Sequence, residues 1–367
     1  LTVLRSRLPA DAGFDPGRRR LLAGAVATLA AGWAAGAAGQ DTRVIRIGTG
    51  PTGATEFLFG GLVANAISNP PGSRDCDRGG NCGVPGLIAV AQTTGGAVEN
   101  LRAVARGDIE LGLAQADAAS WVFAGAPILS ELPATPNLRV IARLYPATIH
   151  LVVRAASPIK TVADLRGRKV GIGLEGSAQA ATAKQLLSAY GVHWNQVQFK
   201  PLAFTAMTEA VAGSAVDALF LVSAAPVLAL EDLARKTPIR VVPITGPVAA
   251  KLAEVLPYYS LGVVPTGVYG AAADVPTIDV GTVLVARDTM DDDLAFGIAR
   301  AIWHERNVAL FQNGHPAGKL MSREEAGRGF TLPLHPGAAR YYLARAVPVG
   351  PEAAPTSIRP APNARSS

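Results

Sequence analysis

The sequence predicts an α/β fold of two lobes joined by a two-strand hinge. Three observations lead there. Short β-branched runs alternate along the chain with segments whose apolar residues recur at helical spacing. The connections are short and rich in Gly, Ser and Thr. Two extended runs, residues 150–153 and 282–285, bracket the second set of elements, as expected if the chain leaves one lobe, builds the other and returns.

A chain of 367 residues is long enough for two cores of ordinary size. With 49% hydrophobic and 17% charged residues, disorder is excluded over most of its length. Aromatics are only 6%, and no basic stripe follows the N-terminal segment, which argues against a nucleic-acid partner. Residues 1–37 carry five arginines against two aspartates, which is half of the net charge of +6.

Those first 37 residues read as an export signal of twin-arginine-like type. Arg18, Arg19 and Arg20 precede an apolar run from Leu21, and Ala35-Gly36-Ala37 supplies the small residues of a cleavage site. A basic-flanked membrane anchor is the alternative; the Ala and Gly content makes the run only weakly hydrophobic and favours cleavage. The expected destination is the periplasm. There, Cys76 and Cys82 are read as a disulfide in preference to free thiols. The histidines are scattered, so neither metal nor cofactor is expected.

Taken in order, residues 44–49 form a strand, and a glycine-rich turn opens a helix to about Ile67. Residues 68–86, rich in Pro, Gly and Asp, read as a surface loop holding both cysteines. Strands at 87–91 and 109–113 alternate with helices, and 138–144 closes this set, so that 41–149 is the first part of lobe 1. Residues 154–278 repeat the pattern as lobe 2, with strands at 169–173, 197–202 and 218–221. Residues 282–345 return to lobe 1 through a strand and a long helix with acidic residues at its start. Residues 349–367, rich in Pro, Ala and Ser, are expected to be disordered. The alternation implies parallel or mostly parallel sheets covered on both faces.

Four strand-to-helix junctions, at residues 49–55, 92–96, 115–117 and 176–179, carry small or polar side chains. At each, first-turn N–H groups lack helical partners, and glycine or a small residue lets a ligand reach the backbone. Such junctions lie at the carboxyl edge of the strands, where crevices form. The first of them fits neither the dinucleotide fingerprint nor the phosphate loop. Glu56 faces either cleft or solvent; in the cleft it would repel a bare dicarboxylate and favour an amine. Phe57, Phe59, Tyr145 and Phe220 are cleft walls or core. No HExxH or GxSxG is present, and His150 in a hinge strand reads as structural, so the chain is not expected to be an enzyme.

Several segments together resemble a known family. Ile47-Gly48-Thr49-Gly50, Gln92-Thr93-Thr94-Gly95-Gly96-Ala97, Leu111-Gly112-Leu113-Ala114-Gln115-Ala116-Asp117, Asp164-Leu165-Arg166-Gly167-Arg168-Lys169-Val170 and Pro333-Leu334-His335-Pro336-Gly337 are similar to the TAXI branch of solute receptors for tripartite ATP-independent periplasmic (TRAP) transporters. The similarity spans about residues 44–345. It implies a periplasmic binding protein fold (type II-like) that closes on a small amino acid or organic acid and delivers it to an ion-gradient-driven membrane permease. A sensor subunit for a membrane kinase and the receptor of an ABC importer are the alternatives. The family's pocket maps onto Thr49, Thr52, Thr55, Glu56, Gln92, Gln115, Asp117, Ser177, Gln179 and Phe220. Glu56-Phe57 stands where many members carry two aromatics, and Gly176-Ser177-Ala178-Gln179 where many carry Gly-Ser-Gly-Thr.

Overall fold

The computed structural model describes residues 42–129 and 132–350. The expected export signal lies outside these residues, as does the expected tail from residue 351. Val349 and Gly350 are not loose: Val349 bridges Gly327, and the Gly350 N–H donates to the Gly327 carbonyl at 2.8 Å. Among the described residues, no helix is long and apolar enough to cross a membrane.

Ten strands form one hydrogen-bonded sheet, eight of them along one continuous path. They are β1 (Arg43–Gly48), β2 (Leu87–Gln92), β3 (Leu111–Gln115), β4 (Leu138–Arg154), β5 (Lys169–Ile172), β6 (Gln198–Pro201), β7 (Ala218–Ser223), β8 (Ile239–Val241), β9 (Tyr259–Val264) and β10 (Val275–Arg287). The helices used below are α1 (Thr55–Ile67), α2 (Ala97–Arg106), α3 (Ala116–Ala124), α4 (Ala178–Ala189), α5 (Phe204–Ala212), α6 (Leu228–Lys236), α7 (Pro247–Val255), α8 (Asp292–Ile302), α9 (Glu305–Gly314) and α10 (Pro336–Leu343).

Lobe 1 has the strand order β2-β1-β3-β10-β4, and lobe 2 repeats it as β6-β5-β7-β4-β8. In each, three parallel strands are followed by one that runs antiparallel to them. The sheets are therefore mixed rather than mostly parallel. The cause is the crossing itself. β4 and β10 are long strands that pass between the lobes in opposite directions, so each lobe receives one strand running against its neighbours. Thr148 marks the joint: it pairs with Asp279 of β10 on one side and with Ser223 of β7 on the other. Residues 150–153 already belong to the lobe 2 end of β4, and 282–285 to the lobe 1 end of β10. The result is a two-lobed α/β architecture with a small two-strand hinge.

These strands are apolar on both faces because helices cover both. Val140, Ile141 and Ala142 are all fully buried, as are Val283, Leu284 and Val285. One core cluster runs without a break from α2 and α3 of lobe 1 through β4 and β10 to α4 of lobe 2. A second fills the other face of lobe 1, where Phe59 stacks on Phe311 with centroids 5.3 Å apart and tilts against Tyr145. Phe59, Tyr145 and Phe220 are thus core residues. The 68–86 connection is less irregular than expected. Ser68–Asn69 pairs with Val84–Pro85, and Cys76 is bonded to Cys82 beside the His304 ring.

Two close approaches hold the carboxyl end of β1 in place. A side chain at Gly60 of α1 would collide with Thr49. Asn100 on α2 is fully buried, and its Nδ2 donates to the Thr49 carbonyl at 2.6 Å and the Leu113 carbonyl at 2.8 Å. That single amide ties the ends of β1 and β3 together. Replacing it by alanine leaves two buried carbonyls without donors. Asn100→Ala is expected to cost about 2–4 kcal/mol of stability, read as a lower urea midpoint at unchanged slope; a midpoint equal to the parent's would dismiss this role.

Candidate functional site

Between the lobes lies a cleft with a volume of about 420 Å³. It is lined where parallel strands end and helices begin. From lobe 1 come residues 49–52 with Ala54 and Glu56 after β1, residues 93–97 after β2, and the end of β3 at 113–115. From lobe 2 come Gly173 and Leu174 after β5, residues 177–179 at the start of α4, residues 202–205 after β6, and Val222 of β7. Local chemistry explains why these starts are open. Ser177 caps α4 by accepting from the Ala180 N–H at 3.3 Å, while α2, α3 and α5 begin without a side-chain cap. In α3 the Ala118 N–H donates to the Asp117 carboxylate at 2.6 Å, whereas the first N–H groups of α2 and α5 remain available.

Of the residues expected at the site, Thr49, Thr52, Glu56, Gln115, Ser177 and Gln179 line the cleft. Thr55, Gln92, Asp117 and Phe220 do not. Thr55 instead joins the lobes at the cleft floor: its N–H donates to Ser223 Oγ at 3.4 Å and its hydroxyl to the Ala224 carbonyl at 3.3 Å. Gln92 turns its side chain to solvent, and its carbonyl accepts from the Thr49 N–H and hydroxyl. Phe220 contributes only its carbonyl, which accepts from Gln179 Nε2 at 3.0 Å. The β6–α5 junction was not expected. Leu202-Ala203-Phe204-Thr205 has neither glycine nor a capping side chain, so no local signal marks it. There Phe204 reaches across toward Gly53 of lobe 1, which lies opposite at φ +89°.

The model of the NMT1-like family matches residues 47–343, a span that contains all the cleft-lining residues. The chain belongs to the NMT1-like family. Solved structures similar to it include three sulfonate-binding proteins. The sulfonate-binding protein SsuA of a sulfonate ABC transporter from Methylobacillus flagellatus is 15% identical over 75% of this chain and 73% of that one, with a TM-score of 0.45. The aliphatic sulphonate binding protein SsuA from Escherichia coli is also 15% identical, over 84% and 94%, with a TM-score of 0.43. The alkanesulfonate-binding protein SsuA from Xanthomonas axonopodis pv. citri, bound to MOPS, is 14% identical over 84% and 95%, with a TM-score of 0.44.

Two carboxyls of this NMT1-like chain sit in unusual surroundings. Glu56, in the first turn of α1, is partly exposed to the cleft. Burial pushes its pKa up to about 7, opposed only in part by hydrogen bonds from its own backbone and the Ser223 hydroxyl. Asp117 is fully buried at the start of α3, facing lobe 2. Its Oδ2 accepts from the Thr182 hydroxyl of α4 at 2.7 Å and from the Tyr259 hydroxyl of β9 at 3.2 Å. Burial raises its pKa to about 6 against those hydrogen bonds. Asp117 is thus a polar tie between lobes, set behind the cleft.

The sign of its effect on stability follows. An aspartate ionises at about 3.9 in an unfolded chain, so the folded protein holds this proton more tightly. The stability this provides is complete below about pH 4 and is lost as pH rises through about 6. Asp117→Asn keeps an acceptor for Thr182 and has no charge to desolvate. It is expected to unfold at higher temperature than the parent at pH 8, by up to about 3 kcal/mol in stability, and to match it near pH 4. A variant less stable than the parent at both pH values would show that the ionised form is the favoured one.

Proposed function

We propose that this protein is a periplasmic solute-binding receptor that captures a small amino acid or organic acid and hands it to a membrane transporter, and that it is not an enzyme. The observation that carries this reading is the convergence of junctions from both lobes on one cleft. Its volume of about 420 Å³ falls within the usual range for small-molecule sites. The lobes share two continuous strands and can close about them while each sheet stays intact. Among the described residues the cleft pairs no nucleophile with a base, and its one ionisable group is Glu56.

For the transporter, the segments in lobes 1 and 2 that are similar to TAXI receptors favour an ion-gradient-driven TRAP-type permease. An ABC-type importer is the second reading, and it is the class named for the Methylobacillus sulfonate-binding protein described above. A sensor subunit would use the same closure to signal to a membrane kinase.

Ligand-free protein is expected to melt at higher temperature in the presence of one member of a panel of amino and organic acids. Saturation to a hundred times the dissociation constant corresponds to about 2.7 kcal/mol. The same compound should reduce the radius of gyration in small-angle scattering. A broad panel that produced neither change, together with turnover of any one compound, would end the receptor reading. Uptake that survives ATP depletion but stops when the ion gradient is collapsed identifies the TRAP type; the reverse identifies an ABC importer.

A further inference from the structure

Among the described residues that line the cleft, Glu56 is the sole ionisable side chain; no lysine, arginine or histidine among them shares the surface with it. No ion pair among the described residues includes it. The polar groups close to it are neutral hydroxyls, those of Ser223 and Tyr145. A carboxylate drawn out of water with no counter-charge is costly unless something else supplies one.

A second set of atoms marks the same floor. Gln115 is 8% exposed, lines the cleft, and its Oε1 has no hydrogen-bond partner. Beside it in the sheet stands Thr282, which pairs with Gln115 across β3 and β10. The hydroxyls of Thr282 and Tyr145 are buried close to one another behind it. Buried polar atoms are rarely left without a partner. The acceptor that reaches the cleft, the Glu56 carboxylate, calls for a donor. The walls are mostly apolar, with Pro51, Leu113, Leu174, Leu202, Phe204 and Val222 beside the polar Ser177 and Gln179.

We propose, resting on the receptor reading, that the cleft selects a ligand with a protonated nitrogen on an apolar body, the nitrogen donating to the Glu56 carboxylate. A cation there supplies the missing counter-charge at close range, where the dielectric is low. A second carboxylate or a sulfonate in the same place would meet repulsion and no compensating cation. The apolar walls take up the remainder of the molecule without asking for further hydrogen bonds. Glu56 is then the specificity residue.

Calorimetric titration of the full exported chain with matched pairs tests this. The probes are L-leucine with 4-methylpentanoate, L-phenylalanine with 3-phenylpropanoate, and 5-aminopentanoate with pentanoate, plus glutarate alone. At least one amino member is expected to bind, and its desamino partner and glutarate to bind at least about tenfold more weakly. Glu56→Gln should weaken the amino member by about tenfold or more, with Glu56→Asp recovering part of the loss; circular dichroism and melting checks that both variants fold. A desamino partner that binds as tightly, binding by Glu56→Gln within about twofold of the parent, or failure of all three amino members to bind overturns the proposal. Scattering on the same samples separates the two readings. Compaction by a desamino acid alone leaves the receptor intact and removes the amine preference. Tight, Glu56-dependent binding of an amine without compaction upholds the preference and removes the receptor.

Discussion

The antiparallel ladder between β4 and β10 is the constraint on which the remaining architecture depends. Each strand donates to a sheet in one lobe and then to a sheet in the other, so neither lobe can rotate far without bending both strands at once. The bend is confined to the neighbourhood of Thr148 and Asp279, where β4 exchanges one partner for another. Asp279 is held there by the Thr148 hydroxyl and by the nearby Arg143 guanidinium, and burial nonetheless raises its pKa to about 6. A hinge built this way is narrow, because only a few residues lie between two fully paired segments. It also fixes which edges meet: the carboxyl ends of β1, β2 and β3 face those of β5, β6 and β7 because both sheets hang from the same two strands.

Facing strand ends bring backbone donors from helix starts into one space, and side chains then decide what they serve. Two acidic residues divide the work. Asp117 is satisfied inside the protein, by Thr182 and Tyr259 from the other lobe, and contributes to how the lobes sit. Glu56 is left without a partner of opposite charge, in contact with the cleft. Both carboxyls have raised pKa values for the same first reason, loss of water. What separates them is whether their hydrogen-bonding capacity is already spent. Tyr259 shows how thoroughly it is spent at Asp117: its hydroxyl lies 3.2 Å from Asp117 and 2.7 Å from the Gln185 side-chain oxygen.

The alternation of strands and helices was legible because most strands are short apolar runs bounded by glycine or a polar turn, and because each lobe repeats the pattern. The mixed character of the sheets was not. A strand buried on both faces reads as a continuous apolar run whichever direction it takes, so nothing in residues 138–154 announces an antiparallel partner. At the cleft, Thr49, Gln115 and Ser177 could be found from small or polar residues at helix starts. Thr55 and Asp117 carry the same signal but point it at the opposite lobe, a distinction of one helical step that only the packed structure resolves. Phe204 was hidden for the converse reason: the start of α5 has no cap and no glycine, and its place at the cleft follows from the lobe's topology alone.

Lobe 2 is nearly contiguous in the chain, whereas lobe 1 is assembled from its two ends: β10 and helices α8 to α10 pack against strands laid down more than a hundred residues earlier. On the ribosome, the N-terminal half of lobe 1 therefore emerges with one edge of β3 open and its apolar face uncovered. It stays so until the last third of the polypeptide has been made, while lobe 2 has most of its strands at hand much sooner. The order of synthesis thus exposes lobe 1 to mispairing and gives the later-made segment the task of closing it.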